Sequence, residues 1–114
     1  MSEQADTTFN AILDGTEPGT IIARDDEKQM ALIQSNHPES VIHWIAIPYE
    51  PIASTEELLH EDKERFLALV DYAVTTTHEM ADEYPRLLQG FTLKIHCGSF
   101  ETMRHAKVHV LAAE

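Results

Sequence analysis

Arg104-His105-Ala106-Lys107-Val108-His109-Val110-Leu111 is the most informative stretch of this sequence. In an extended chain successive side chains alternate between two faces, so His105, Lys107 and His109 would project to the same side. The apolar residues between them would point the other way, toward a core. The stretch therefore predicts a β-strand with one apolar face and one chemically active face. The simpler alternative is that the polar row is the solvent-exposed face of an edge strand.

Four further strands are predicted by short runs of apolar and β-branched residues between polar turns. These runs are residues 20–24, 29–34, 41–47 and 91–96. A polar turn separates the first two runs, which predicts a hairpin. The third run is apolar on both faces except at His43, so it is predicted to be a central strand covered on each side. His43 is either a hydrogen-bonded core histidine or part of a site with the later histidines.

Two helices are predicted from apolar residues that recur at helical spacing. Phe9, Ile12 and Leu13 form the apolar face of a short N-terminal helix, which Gly15 ends. A longer pattern of the same kind predicts one amphipathic helix from about Glu61 to Glu83. The predicted fold class is α+β, with an antiparallel sheet of about five strands, one long helix and the short N-terminal helix.

The composition predicts one acidic domain without a membrane span. A chain of 114 residues suits a single core, placed at residues 8–114 after a disordered tail at residues 1–7. Eight basic residues against 20 acidic ones give a net charge of −12, which argues against nucleic acid and anionic membranes as partners. No apolar run approaches the ~18 residues of a transmembrane helix. The single cysteine, Cys97, fits a reducing compartment, so a cytoplasmic location is expected.

The histidines of the C-terminal stretch favour phosphate chemistry over metal binding. On a strand His105 and His109 would stand about 13 Å apart. That separation is too large for both to bind one zinc ion at ~2.1 Å. We therefore expect no metal and no cofactor. A His-x-Lys-x-His row does present donors to phosphate oxygens, and imidazoles exchange protons near neutral pH.

The order of these motifs resembles the histidine triad (HIT) superfamily along nearly the whole chain. The signature of that family, His-φ-His-φ-His-φ-φ with φ apolar, corresponds to residues 105–111, with Lys107 at the middle histidine. The proline, the paired isoleucines and the acidic turn of residues 18–26 also resemble the family pattern. So does His43-Trp44-Ile45-Ala46-Ile47-Pro48. The resemblance implies a HIT-like fold, a symmetric homodimer, and hydrolysis or transfer of a nucleotide through a covalent nucleotidyl-histidine.

The resemblance also implies which residues form the site. The expected catalytic residues are Lys107, His105 and His109, and the expected ligand-binding residues are Phe9, Ile12, Ser35, His43, His96 and Thr102. The sequence departs from the family at three of them. Lys107 replaces the nucleophilic histidine, Ser35 replaces an acidic residue that holds the ribose hydroxyls, and His96 replaces an asparagine. An amine with a reference pKa of about 10.4 cannot attack phosphorus until that value is lowered.

Three functions remain open from the sequence. The first is a divergent HIT-like protein that binds a nucleotide or another phosphorylated small molecule, with the nucleotidyl hydrolysis of the family lost or weakened. The second is an active nucleotidyl hydrolase or transferase that uses Lys107 as its nucleophile. The third is a non-enzymatic dimeric interaction module that uses its acidic surface.

Overall fold

The computed structural model describes residues 6–100 and 103–112, and these form the predicted α+β architecture. A five-stranded antiparallel sheet has the order β1-β2-β3-β5-β4. Its strands are β1 (Ile21–Asp25), β2 (Met30–Gln34), β3 (Ile42–Pro48), β4 (Thr92–Lys94) and β5 (Val108–Ala112). The helices are α1 (Thr8–Asp14), α2 (Thr55–Glu61) and α3 (Lys63–Glu79), with short 3-10 turns at Met80–Asp82, Pro85–Gln89 and Gly98–Phe100. The predicted fold class is confirmed.

The predicted hairpin is present, and its turn is fixed by one carboxylate. Strands β1 and β2 pair antiparallel. The side chain of Asp25 accepts hydrogen bonds from the backbone N–H groups of Glu27 and Lys28, both at 3.0 Å. Gln29 has a positive φ of 58°, which completes the reversal. A short polar side chain that satisfies two backbone donors is the reason that this acidic sequence turns here.

The sheet is covered on both faces, as the apolar run around His43 predicted. On one face Leu32, Trp44 and the β5 valines pack against α3. On the other face Ile33, Ile45 and Ile47 pack against Phe9 and Ile12 of α1. Every residue of β3 is buried, because this strand lies in the middle of the sheet. The short helix α1 covers only part of its face, and the uncovered part is where the candidate site lies.

The predicted long helix is present, but α3 spans Lys63–Glu79, whereas the prediction ran from about Glu61 to Glu83. Asp62 has φ −150° and ψ 80°, which ends α2 and separates it from α3. Its carboxylate accepts a hydrogen bond from the backbone N–H of Arg65 at 3.1 Å and so caps α3. Asp competes with the helical backbone for hydrogen bonds, and its preference for a cap starts a new helix at this position.

The predicted C-terminal strand is present from Val108, but the prediction that it starts at His105 was wrong for residues 105–107. Strand β5 begins at Val108, and it lies between β3 and β4 rather than at an edge. The backbone before it bonds to the segment that leads into α2: the N–H of Ala106 donates to the carbonyl of Ile52 at 2.7 Å. The hydroxyl of Thr55 then bonds to both the N–H and the carbonyl of Lys107, each at 3.0 Å. These partners replace a neighbouring strand, so the polar row is not an exposed edge.

The N-terminal segment packs against the same irregular stretch. Residues 1–5 of the predicted tail lie outside the described residues. The backbone N–H of Asp6 donates to the carbonyl of Arg104 at 2.6 Å, and the Asp6 carboxylate accepts from the N–H of Thr8 at 2.8 Å. Asp6 therefore connects the start of α1 to the residues that precede β5. Within the described ranges, no helix has the length and apolar character needed to cross a membrane.

Candidate active site on the partly covered face of the sheet

A cavity of about 560 Å³ opens beside α1, and most of the residues singled out from the sequence line it. Those are Phe9, Ile12, Ser35, His43, His96, Lys107 and His109. His105 does not line the cavity. Thr102 lies outside the described residues. Residues that are far apart in the sequence thus meet at one concave surface, as expected for a ligand site.

The cavity has further lining residues that the sequence did not identify. They are Gln34, Asn36, His37, Glu39, Ile45, Phe100 and Met103. Ile45 could have been found, because it is two residues after His43 on the same strand and therefore faces the same side. Gln34 is the last residue of β2, whereas Asn36, His37 and Glu39 belong to the β2–β3 connection, whose path over the cavity left no signal in its composition.

His43 and His109 form a hydrogen-bonded pair in the wall of the cavity. His43 Nε2 lies 2.9 Å from His109 Nδ1, and His43 Nδ1 lies 3.0 Å from the backbone nitrogen of Glu39. A backbone N–H can only donate, so His43 Nδ1 must accept and the neutral ring carries its proton on Nε2. That proton is donated to His109 Nδ1. The neutral His109 ring therefore carries its own proton on Nε2.

His109 Nε2 is a buried N–H with no hydrogen-bond partner among the described residues. Its ring lines the cavity and packs edge-on against the ring of His96, with centroids 4.8 Å apart. A buried donor without a partner costs free energy that a bound acceptor recovers. The pair of rings thus presents one donor and no acceptor at this point of the cavity.

Burial keeps both rings neutral. Loss of solvation is the main reason that the pKa of His109 falls to about 4, and repulsion from the charged forms of His43 and His96 adds to it. Desolvation likewise lowers the pKa of His43, against a smaller opposing effect of Glu39. Neutral rings are what the hydrogen-bond directions require, since a cationic His43 would turn a second N–H against the N–H of Glu39.

Lys107 lies in the wall of the cavity, and its ammonium group bonds to the backbone of the loop that precedes β5. The side chain is nearly buried, and Nζ donates to the carbonyl oxygens of Met103 at 2.7 Å and His105 at 2.8 Å. Carbonyl oxygens only accept, so these two bonds match an ammonium group, which has only donors. The lysine thereby fixes the backbone of residues 103–107 while it lines the site.

His105 is part of this support rather than of the cavity. The ring is fully buried, and its Nδ1 donates to the carbonyl of Ala106 at 2.9 Å. Phe9 packs against it at right angles with the ring centroids 5.2 Å apart. Burial is the main cause of a lowered pKa for His105. The geometry places His105 under α1 as a neutral anchor of the loop, away from any cavity ligand.

The loop before β3 also lines the cavity. The hydroxyl of Ser35 accepts a hydrogen bond from the N–H of His37 at 3.2 Å, and the N–H of Ser35 donates to the carbonyl of His43 at 2.9 Å. The carboxylate of Glu39 pairs with Lys94 of β4 at 2.5 Å. The hydrogen bond from Lys94 holds the pKa of Glu39 below its usual range. Ser35 is thus occupied as a turn-forming hydroxyl in this structure.

The side chains of residues 6–100 and 103–112 contain no group of three His, Cys, Asp or Glu placed to hold a metal ion. The direct contact between His43 and His109 explains part of this result, because two of their four ring nitrogens already bond to each other. What the site offers chemically is a small set of N–H donors next to an apolar wall. Such a set suits the oxygens of an anion attached to an organic group.

Solved structures with the same fold come from several bacteria and from an archaeon. A histidine triad protein from Clostridium difficile has a TM-score of 0.78 and 24% identity, covering 99% of this chain and 95% of its own. A HIT family hydrolase from Clostridium thermocellum has a TM-score of 0.76 and 22% identity, covering 100% of this chain and 94% of its own. A hypothetical histidine triad nucleotide-binding protein from Sulfolobus tokodaii has a TM-score of 0.76 and 20% identity, covering 93% and 68%.

One protein family matches nearly the whole chain. No curated protein matches the sequence. The family model described as "scavenger mRNA decapping enzyme C-term binding" matches residues 6–114, nearly the entire sequence. The chain belongs to this family and, with it, to the histidine triad superfamily.

Proposed function

We propose that the chain binds a nucleotide or another phosphorylated small molecule in the cavity beside α1. The observation that carries the proposal is the buried His109 Nε2–H, which lines the cavity and has no hydrogen-bond partner among the described residues. A phosphate oxygen is an acceptor that would satisfy it, and the neighbouring Lys107 ammonium supplies a positive charge. The Sulfolobus tokodaii protein of the same fold is named as nucleotide-binding, which agrees with the proposal.

The walls of the cavity fit the organic part of such a ligand. Phe9, Ile12 and Ile45 form an apolar surface, and Phe100, which is 74% exposed, stands at the rim beside His96. A flat heterocycle or another apolar group can pack on these side chains. Because the chain carries a net charge of −12, long-range attraction does not favour an anion, and the affinity must come from these local contacts.

We further propose that the covalent nucleotidyl transfer of the family is lost or weak in this chain. Such a step needs an imidazole lone pair directed at phosphorus. Within the stretch 104–111, the lone pair of His109 Nδ1 accepts from His43, and its Nε2 carries a proton. His105 is buried outside the cavity. Neither histidine of this stretch therefore offers a lone pair to a ligand.

Lys107 is the second candidate, as the nucleophile of a hydrolase or transferase. Its position in the wall of the cavity favours this function. The two carbonyl oxygens that accept from Nζ work against it, because an attacking amine must lose a proton and turn its lone pair toward phosphorus. We therefore assign Lys107 to charge stabilisation and loop support rather than to covalent catalysis.

A homodimer is part of the proposal. β4 is an edge strand of three residues, so its outer backbone groups have no neighbouring strand within the described sheet. Ile95 directly after it is 38% exposed, which leaves apolar surface at the same edge. Such an edge leaves backbone donors and acceptors that a second strand can pair with. Light scattering coupled to size exclusion tests the proposal, and a single-chain mass at high protein concentration would contradict it.

Isothermal calorimetry with AMP, ADP, a sugar phosphate and inorganic phosphate tests the binding function. We expect at least one organic phosphate to bind, inorganic phosphate to compete with it, and His109→Gln to weaken it. His60→Ala, on the exposed surface of α2, is the matched control and should bind as the natural chain does. The absence of binding by the whole panel would refute the function. A covalent nucleotide adduct at Lys107 after incubation with a nucleotide conjugate would instead support the second candidate.

A further inference from the structure

We infer that the Glu39–Lys94 ion pair is a positioning device that sets the tautomers of His43 and His109. The ligand role of His109 in this inference rests on the proposed function, whereas the effect on the tautomers does not. Neither Glu39 nor Lys94 was identified by the sequence pattern. Glu39 lines the cavity and Lys94 does not, and both act on the ligand through the hydrogen bonds of the two rings.

Glu39 makes two contacts that point in different directions. Its backbone N–H donates to His43 Nδ1 at 3.0 Å. Its carboxylate pairs with Lys94 Nζ at 2.5 Å. The residue has no place in a helix or strand, so its backbone orientation depends on such contacts. The ion pair therefore holds the donor that decides which nitrogen of His43 carries the proton.

The ion pair also spans the strand that carries His109. Lys94 lies on β4 and Glu39 lies just before β3, and β5 runs between these two strands. Lys94 and His109 are direct cross-strand partners, so their side chains project from the same face of the sheet. The lysine side chain thus reaches from the outer edge of the sheet to the loop that lines the cavity.

The effect on the ligand follows from the chain of hydrogen bonds. With Glu39 in place, His43 donates from Nε2 to His109 Nδ1, and His109 presents an N–H at Nε2. If the N–H of Glu39 moves away, His43 can carry its proton on Nδ1 instead. His109 would then donate from Nδ1 and present the lone pair of Nε2. A lone pair repels a phosphate oxygen, whereas the N–H binds it.

The pair contributes little to folding, which makes the inference testable. The two side chains are 35% and 52% exposed, and exposed ion pairs stabilise proteins only slightly. Lys94→Met and Glu39→Ala should therefore fold. The matched control is Glu50→Gln, which breaks the similarly exposed ion pair between Arg65 and Glu50, 2.7 Å long and away from the cavity.

Nitrogen NMR of the imidazole rings, recorded without any ligand, reads the tautomers directly. We expect His43 and His109 to be protonated on Nε2 in the natural chain and in Glu50→Gln. In Lys94→Met and Glu39→Ala both rings should show mixed tautomers, and Lys94→Arg should restore the natural spectrum because it keeps the charge. Unchanged tautomers in both variants would overturn the inference.

Calorimetry on the same variants separates this inference from the proposed function. If AMP binds the natural chain, the affinity should fall about three- to tenfold in Lys94→Met, as expected for one weakened hydrogen bond, and recover in Lys94→Arg. A changed tautomer with no binding of AMP, ADP, the sugar phosphate or inorganic phosphate by any variant would support the positioning role and refute the function. A changed tautomer with unchanged AMP affinity would overturn the link between Glu39 and the ligand.

Discussion

His43 Nε2 donates to His109 Nδ1 across 2.9 Å, and this bond makes the two rings one unit. The rings belong to neighbouring strands, β3 and β5, but not to directly opposite positions, because Ile45 is the cross-strand partner of His109. The bond therefore runs diagonally along one face of the sheet, within the reach of long side chains. As a result, the neutral ring of His109 presents its Nε2–H to the cavity in a fixed direction.

Replacing His43 by alanine should leave the Nε2–H of His109 without a fixed direction. His43→Ala leaves His109 Nδ1 without its donor, and we expect the affinity for a nucleotide to fall about three- to tenfold. The free energy of unfolding should also drop by about 1–3 kcal/mol, because a buried acceptor is left unsatisfied. Calorimetry and urea unfolding measure the two effects, with His60→Ala as the surface control. Unchanged affinity would show that the pair is only part of the core.

Acid should destabilise the protein through the buried imidazoles. In the folded chain the pKa of His109 is about 4 instead of 6.5, and the pKa values of His43 and His105 are lowered too. Between pH 4 and pH 6.5 the unfolded state binds more protons at His109 than the folded state does. The contribution of the neutral ring to the free energy of unfolding is therefore fully present above about pH 6.5 and is lost as the pH falls toward 4. For His109 alone the loss amounts to about 3 kcal/mol.

The pH effect is measured as a difference between two proteins. Urea unfolding of the natural chain and of His109→Gln, at several pH values from about 7.5 to 4.5, isolates this histidine from the many carboxylates. The stability difference between the two proteins should shrink as the pH falls. A constant difference would mean that His109 is protonated equally in the folded and unfolded states.

The strand pattern predicted the sheet because apolar burial dominates there. The alternation in β3 and β5 and the turn at residues 25–28 correspond to contacts within the sheet, which local sequence encodes directly. The break at Asp62 was missed because the cap depends on one hydrogen bond, which an apolar pattern does not reveal. The start of β5 was missed because Thr55 and Ile52, distant in sequence, bind the backbone before it.

The sequence predicted most residues of the site, but it did not predict the hydrogen bonds between them. The spacing of histidines and the family resemblance selected His43, Lys107 and His109, which meet at one cavity. Nothing in the sequence indicated that His43 bonds directly to His109, or that Lys107 turns back onto its own loop. Those directions depend on side-chain rotation and on carbonyl groups of the backbone. Such features leave no residue pattern.

Lys107 should prove to be a structural cation rather than a nucleophile. Lys107→Met removes the donors of two carbonyl groups and the positive charge, so we expect a loss of about 1–3 kcal/mol in stability. Nucleotide affinity should fall about ten- to a hundredfold, the range for hydrogen bonds to charged groups. Mass spectrometry of the natural chain after incubation with a nucleotide conjugate should show no adduct at Lys107. An acid-labile adduct there would assign the nucleophile to it.

Gly19 should be required for the apolar wall of the cavity. A Cβ at this position would lie 2.7 Å from Cγ2 of Ile12, and the other branch of the isoleucine side chain is within 3.1 Å. Gly19→Ala must therefore displace Ile12, which is buried against the sheet and lines the cavity. Overpacking of this kind costs about 1–3 kcal/mol, and the shifted isoleucine should also weaken ligand binding.

A double-mutant cycle attributes the Gly19 effect to this contact. In an Ile12→Ala background the atoms that crowd the new Cβ are absent, so Gly19→Ala should then change the free energy of unfolding by less than about 0.5 kcal/mol. Urea unfolding of the four proteins gives the coupling. An equal penalty in both backgrounds would locate the strain in the backbone of residue 19. In that case Ile12 would keep its position, and the cavity would be unaffected by the glycine.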